Sequence, residues 1–136
     1  MTEGEVHEVV TGDGYAVGNI AALGDGGGFR KVRPALDVKA LGFNVIVMPP
    51  EFAGRRHYHY EQEETYFIHQ GHCELELGDG DVHRLGPGGV ARIDPATVRR
   101  IRNVGEGDLV YVAVGAKDGY VSGDGHLLPS EETTGQ

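Results

Sequence analysis

His57-Tyr58-His59-Tyr60-Glu61-Gln62-Glu63-Glu64, running on into Thr65-Tyr66-Phe67-Ile68-His69-Gln70-Gly71, is the stretch from which the fold is read. Its first half alternates histidine with tyrosine. In an extended segment residues two apart project from one face, so His57 and His59 point the same way. Glu64, after a four-residue connection, opens a second β-prone run. Adjacent strands lie about 4.8 Å apart, so a carboxylate there reaches the same small volume as the two imidazoles. Thr65 to Ile68 reads as apolar on both faces, which predicts a central strand.

The pattern extends in both directions. Upstream, Leu41-Gly42-Phe43-Asn44-Val45-Ile46-Val47-Met48 is β-rich and is stopped by Pro49-Pro50, since proline cannot donate to a ladder. Short strands over 56–60, 64–69, 72–77, 81–85, 89–93, 99–103 and 108–114 recur every ~8–12 residues, the spacing of β-sandwiches and barrels. Turn signals separate them at Gly71, Gly78-Asp79-Gly80, Gly86-Pro87-Gly88-Gly89 and Gly105-Glu106-Gly107. In 72–77, Cys73, Leu75 and Leu77 share an apolar face and His72, Glu74 and Glu76 a polar one. No segment carries a helical period over a dozen residues. The expectation is an all-β chain organised as an N-terminal arm over 1–28, a barrel over 29–116 and a polar tail over 117–136. The arm carries edge strands near 6–10 and 15–20. The tail is expected to be loosely held, with Val121 and Leu127-Leu128 touching the barrel.

Composition narrows the partners. The 136 residues, 39% hydrophobic and 24% charged, suit one soluble domain with one core. A formal charge of −9, from 21 acids against 12 bases, repels nucleic acid and phospholipid surfaces. The basic pairs Arg55-Arg56 and Arg99-Arg100 lack interleaved aromatics, and Arg55 and Arg100 read as solvated or locally paired. A single cysteine, Cys73, excludes an intramolecular disulfide and is most simply a small core residue. With no apolar leader and no apolar run of about 18 residues, a cytoplasmic location is expected.

Two imidazoles and one carboxylate suit a first-row divalent metal, and with open positions they match the donor set of non-haem iron sites. Iron, zinc, manganese and nickel all fit the ligand types. The spacing also resembles the first motif of the cupin superfamily, G-x5-H-x-H-x(3,4)-E-x6-G. His57, His59, Glu64 and Gly71 match it, and Glu51 replaces the opening glycine. Glu63 satisfies the shorter gap, but only Glu64 also satisfies the distance to Gly71. The second motif, G-x5-P-x-G-x2-H-x3-N, is degraded: Gly88 and Asn103 match, Asp94 replaces the proline, Ala96 the glycine, and Arg99 the histidine. The resemblance covers about residues 41–115. It implies a jelly-roll (double-stranded β-helix) barrel, a divalent metal on His57, His59 and Glu64, a small-molecule ligand and a homodimer.

Arg99 decides how far that chemistry carries. A guanidinium has no lone pair to offer and cannot ligate. Three arrangements stay open: a metal on the three remaining donors with Arg99 swung away or holding an anionic ligand, a metal-free site with Arg99 paired to Glu64, or a shell completed by another side chain such as His83. Alternation puts Arg99 with Ile101 and Asn103 on one face, pointing into the barrel. Arg99 and Tyr66 are the substrate-binding candidates, Arg99 as a carboxylate clamp or as a buried salt bridge to Glu64 or Asp94. His72 reads as solvated, His69 as packed on a second surface or an interface. Two function classes follow: a metal-dependent dioxygenase, decarboxylase or isomerase acting on an anionic small molecule, or a non-catalytic ligand-binding or sensor barrel with no functional metal.

Overall fold

A computed structural model describes residues 4–132. Two short strands, β1 (Val10–Gly12) and β2 (Tyr15–Val17), form a separate hairpin. The arm therefore contributes its own two-stranded ribbon, and the first of its strands starts later than the sequence pattern places it. There follow β3 (Gly28–Arg30), a five-residue helix α1 (Val32–Leu36), β4 (Gly42–Met48), β5 (His57–His59), β6 (Glu63–Gln70), β7 (Cys73–Leu77), β8 (Asp81–Leu85), β9 (Val90–Ile93), β10 (Arg99–Asn103), β11 (Leu109–Ala116), β12 (Gly125–Leu127) and α2 (Pro129–Glu132).

From β4 onward the chain passes back and forth between two five-stranded sheets, β12-β5-β10-β7-β8 and β3-β4-β11-β6-β9, with antiparallel pairing throughout. Their inner faces enclose the core. Ile46, Met48, Tyr66, Ile68, Ile93, Leu109 and Tyr111 come from one sheet, and Cys73, Leu75 and Ile101 from the other. The Cys73/Leu75 face is buried as its alternation requires. β6 lies inside its sheet between β11 and β9, as its apolar run predicts, yet only Tyr66 and Ile68 face inward; Phe67 on the other face stays 44% exposed.

Two local features tie the strands, and a third shapes the short helix. Gly71, at φ +86, turns β6 into β7, and a Cβ there would lie 2.7 Å from the Asp108 carbonyl oxygen, so only glycine fits. Asn103 is buried; its amide donates to the carbonyls of Met48 and Gly107, both at 2.9 Å, and its oxygen accepts from Gly105 N–H at 2.9 Å. This asparagine therefore ties the end of β4 to the β10–β11 turn. In α1, Pro34 sits within the first turn, where no intrahelical N–H donor is required, and Asp37 closes the helix in the left-handed region at φ 54.

The segment after β11 is more ordered than its polar composition predicts. β12 pairs with β5, opposing Gly125 to His59, His126 to Tyr58 and Leu127 to His57. Arg33 stacks on Tyr120 at 4.0 Å, and Glu131 accepts from Arg56 at 3.4 Å, anchoring this segment at both ends. It thus lies beside the conspicuous histidine pair.

Candidate metal centre

Strand alternation delivers the expected convergence. His57 and His59 project inward from β5, their rings 5.4 Å apart, and Glu64 enters from the start of β6 in the facing sheet. One donor atom from each of the three lies within 4.8 Å of the other two. Glu64 Oε1 is 3.3 Å from His59 Nε2 and 4.0 Å from His57 Nε2. His83 is exposed on β8, at the opposite edge of the β5 sheet, and is not in the cluster.

The partners of the other ring nitrogens say which atoms carry lone pairs. Nδ1 of His57 faces the Arg55 carbonyl oxygen at 3.3 Å, and Nδ1 of His59 faces Asp124 Oδ2, also at 3.3 Å. Both are acceptors, so each Nδ1 carries a proton, and in the neutral form of each ring the lone pair is on Nε2. His59 Nε2 is buried, and its nearest polar neighbour is Glu64 Oε1 at 3.3 Å. Two imidazole lone pairs and a carboxylate oxygen thus face one another, an arrangement that calls for a cation. The residues fit a divalent metal.

Asp124 was missed by the sequence reading. Its side chain is only 2% exposed. It accepts from the backbone N–H of Gln62 at 2.8 Å and of Glu61 at 3.0 Å, besides His59. It therefore caps the β5–β6 turn and holds Nδ1 of His59 at the same time. Gly125 opposes the His59 ring, where a Cβ would stand 3.4 Å from Cε1. The Gly123-Asp124-Gly125 triplet was the available signal. Gln62 is buried as well, and its side-chain oxygen accepts from Val121 N–H at 3.0 Å.

A cation already stands beside Glu64. Arg99 points into the barrel as its parity predicts, with no exposed surface. Its Nη1 donates to Glu64 Oε1 at 3.0 Å and its Nη2 to the Asp94 carbonyl oxygen at 2.8 Å. The ion pair is therefore with Glu64; the Asp94 carboxylate is instead near Arg92, at 3.6 Å. Tyr66, buried next to them, donates from its hydroxyl to Glu64 Oε1 at 3.2 Å. Of the other histidines, His69 and His72 are exposed, while His126 stacks on Tyr60 at 3.7 Å on the outer side of β12.

Electrostatics follow this layout. Burial alone would raise the Glu64 carboxyl, but His59 beside it, with Arg99 and His57, outweighs burial and holds it below the ordinary carboxylate value. Burial pushes the His57 imidazole down, favouring the neutral ligating form. Asp124 is raised by burial and lowered further by the two backbone N–H donors and His59, with a net fall. Burial drives the Tyr66 hydroxyl far up, so it remains a proton donor at neutral pH. The triad opens on a cavity of about 300 Å³ whose walls include Asn44, Gln62, Tyr66 and Tyr111.

Comparison with known proteins agrees with this architecture. Residues 44–115 match the family model of the cupin domain. A cupin protein from Bacteroides fragilis superposes with a TM-score of 0.61 at 19% identity, over 82% of this chain and 90% of that one. A DMSP lyase from Ruegeria pomeroyi gives 0.59 at 24% identity over 71% of this chain, which spans 46% of the lyase chain. A predicted oxalate decarboxylase from Thermotoga maritima gives 0.53 at 26% identity, over 56% of this chain and 65% of that one. No protein with a curated description matches the sequence. With two facing antiparallel sheets, an inward His-x-His and glutamate cluster, and a family match over more than half its length, this chain belongs to the cupin domain family.

Proposed function

We propose that the barrel holds one divalent metal on His57 Nε2, His59 Nε2 and a Glu64 carboxylate oxygen, and binds a small anionic organic molecule beside it as a metal-dependent oxygenase, decarboxylase or isomerase. The observation that carries this reading is the buried Nε2 of His59, with its lone pair directed by Asp124 and facing a carboxylate oxygen 3.3 Å away. A bound metal supplies Lewis-acid polarisation of ligand oxygens. This chain's own residues do the rest. Asp124 and the Arg55 carbonyl orient the imidazoles; the Tyr66 hydroxyl stays protonated, holds Glu64 Oε1 and borders the ligand; Met48, Ile46 and Tyr111 exclude water around them. Arg99 reaches the ligand through Glu64, whose charge and orientation it sets, and in that role it is a positioning residue.

A second reading is favoured by the 3.0 Å pair of Arg99 with Glu64. In it the guanidinium stands permanently where a metal charge would, and the barrel is a ligand-binding or sensor module without catalysis. Elemental analysis of protein purified without a histidine tag separates the two. The first reading expects close to one transition metal per chain, lost in His59→Ala and in Glu64→Gln. Metal-free protein that also fails to take up iron, manganese, zinc or nickel in titration would overturn it in favour of the second.

A further inference from the structure

The triad cavity is not the whole of the opening. Phe29, His57 and Tyr111 of its wall also line a larger neighbouring compartment of about 750 Å³. This outer compartment is lined by Met48, Phe52, Ile101 and Leu127, which are apolar. At its rim Phe29 is 57% and Phe52 50% exposed, large rings left in water beside an apolar hollow. A volume of this size with a mostly apolar wall and few polar groups is what organic-ligand sites provide.

Its charge is equally specific. Arg100 lines the compartment, half-buried. Its cross-strand neighbour Glu76 is held by Arg56 at 3.2 Å, and Glu131, which also lines the wall, accepts from the same Arg56 at 3.4 Å. Arg100 has no ion-pair partner among the described residues, whereas Arg99 and Arg102 are paired to Glu64 and Glu74. The hollow therefore offers an apolar wall bordered by the guanidinium groups of Arg55 and Arg100 and by Glu131; Arg100, which also borders Glu74 and Glu76 on its other side, makes no ion pair among the described residues, and His57 of the triad lines the same wall.

We infer that the outer compartment binds an amphipathic monocarboxylate, its carboxylate on Arg100, its apolar body against Met48, Phe52, Ile101 and Leu127, and its far end passing His57 toward the triad. The inference deepens the metal-site proposal by naming the ligand class. It sets this chain apart from a barrel for small polar acids, which would leave that wall wet. The binding step itself rests on the outer walls and not on a metal.

The test is calorimetric titration of the full-length protein, with and without metal, using butanoate, hexanoate, octanoate, octanol and oxalate. Each methylene buried strengthens binding by roughly fourfold, so affinity is expected to climb along the acid series while oxalate fails to compete with octanoate. Phe52→Asp, on an exposed loop, is expected to weaken octanoate at least tenfold. Arg100→Gln is expected to weaken octanoate severalfold and leave octanol unchanged. Affinity independent of chain length, oxalate competing as well as octanoate, or insensitivity to Phe52→Asp would overturn the inference. So would sedimentation showing that a second copy of the chain covers the compartment and excludes octanoate. Octanoate binding with no metal uptake would sink the metal reading alone; metal uptake with no octanoate binding would sink this one alone.

Discussion

Asp124→Asn removes one charge and one acceptor from a buried position while keeping the side chain's shape. The carboxylate accepts from three groups, Gln62 N–H at 2.8 Å, Glu61 N–H at 3.0 Å and His59 Nδ1–H at 3.3 Å. An amide serves the three less well. With its oxygen in the Oδ2 position it still faces Gln62, His59 and, at 3.2 Å, the Glu61 N–H, but its NH2 replaces the closer Glu61 acceptor at 3.0 Å, donor against donor. Turned over, its NH2 meets the Gln62 N–H and donates to His59 Nδ1, which drives the ring proton to Nε2 and removes the ligating lone pair. The first orientation weakens the half-buried Glu61 contact; the second leaves the buried Gln62 N–H without its acceptor, which costs about 1–3 kcal/mol of stability. Disturbing an outer-shell partner of a metal histidine costs about 10- to 100-fold in affinity, or about 1.4–2.7 kcal/mol. Titration of Co²⁺ against a competing chelator reads the affinity, and the ¹⁵N shifts of His59 in metal-free protein read the tautomer. Wild-type metal affinity in Asp124→Asn, with His59 still protonated on Nδ1, would refute the reasoning.

Further expectations follow from other parts of the site and barrel. Arg99→His replaces a buried cation by a donor next to Glu64 and is expected to raise metal affinity at least tenfold in the same titration; unchanged or weaker affinity would show that position 99 does not face the metal. Acid is expected to destabilise the metal-free protein. His57 is held below its ordinary 6.5, Glu64 below 4.5 and Asp124 below 3.8. In each case the unfolded chain takes up the proton first as pH falls, so the thermal midpoint should drop from about pH 6.5 downward and again below about 4.5. A midpoint flat between pH 7 and 4 would contradict this. Gly71→Ala, forced to φ +86 with its Cβ against the Asp108 carbonyl, should destabilise by well over 1 kcal/mol in urea unfolding; a neutral effect would mean the β6–β7 turn is not as described.

What the sequence showed and what it hid have physical causes. Period-two alternation over 57–59 and 99–103 is a local property, so it put His57, His59 and Arg99 inside without knowledge of the rest of the fold. Glu64 was separable from Glu63 by its distance to Gly71, and Glu64 is the one that accepts from the Tyr66 hydroxyl. Asp124 was hidden because its role is wholly non-local. A three-residue strand, Gly125–Leu127, has no readable period, and its surroundings in glycine, aspartate and serine resemble a solvated tail. β3 and α1 fell below the same limit, at three and five residues. The fate of Arg99 was also open, since alternation gives a direction but not a partner. The Glu64 carboxylate, arriving from the facing sheet, supplied it.

The central claim is that two imidazoles and a carboxylate close on one metal ion inside this barrel. Anomalous diffraction from crystals of untagged protein grown with Mn²⁺ or Zn²⁺ tests it most directly. The expected result is a single strong peak about 2.0–2.2 Å from His57 Nε2, His59 Nε2 and a Glu64 oxygen. No peak at that point, with the Arg99 guanidinium still paired to Glu64 at saturating metal, would contradict the account.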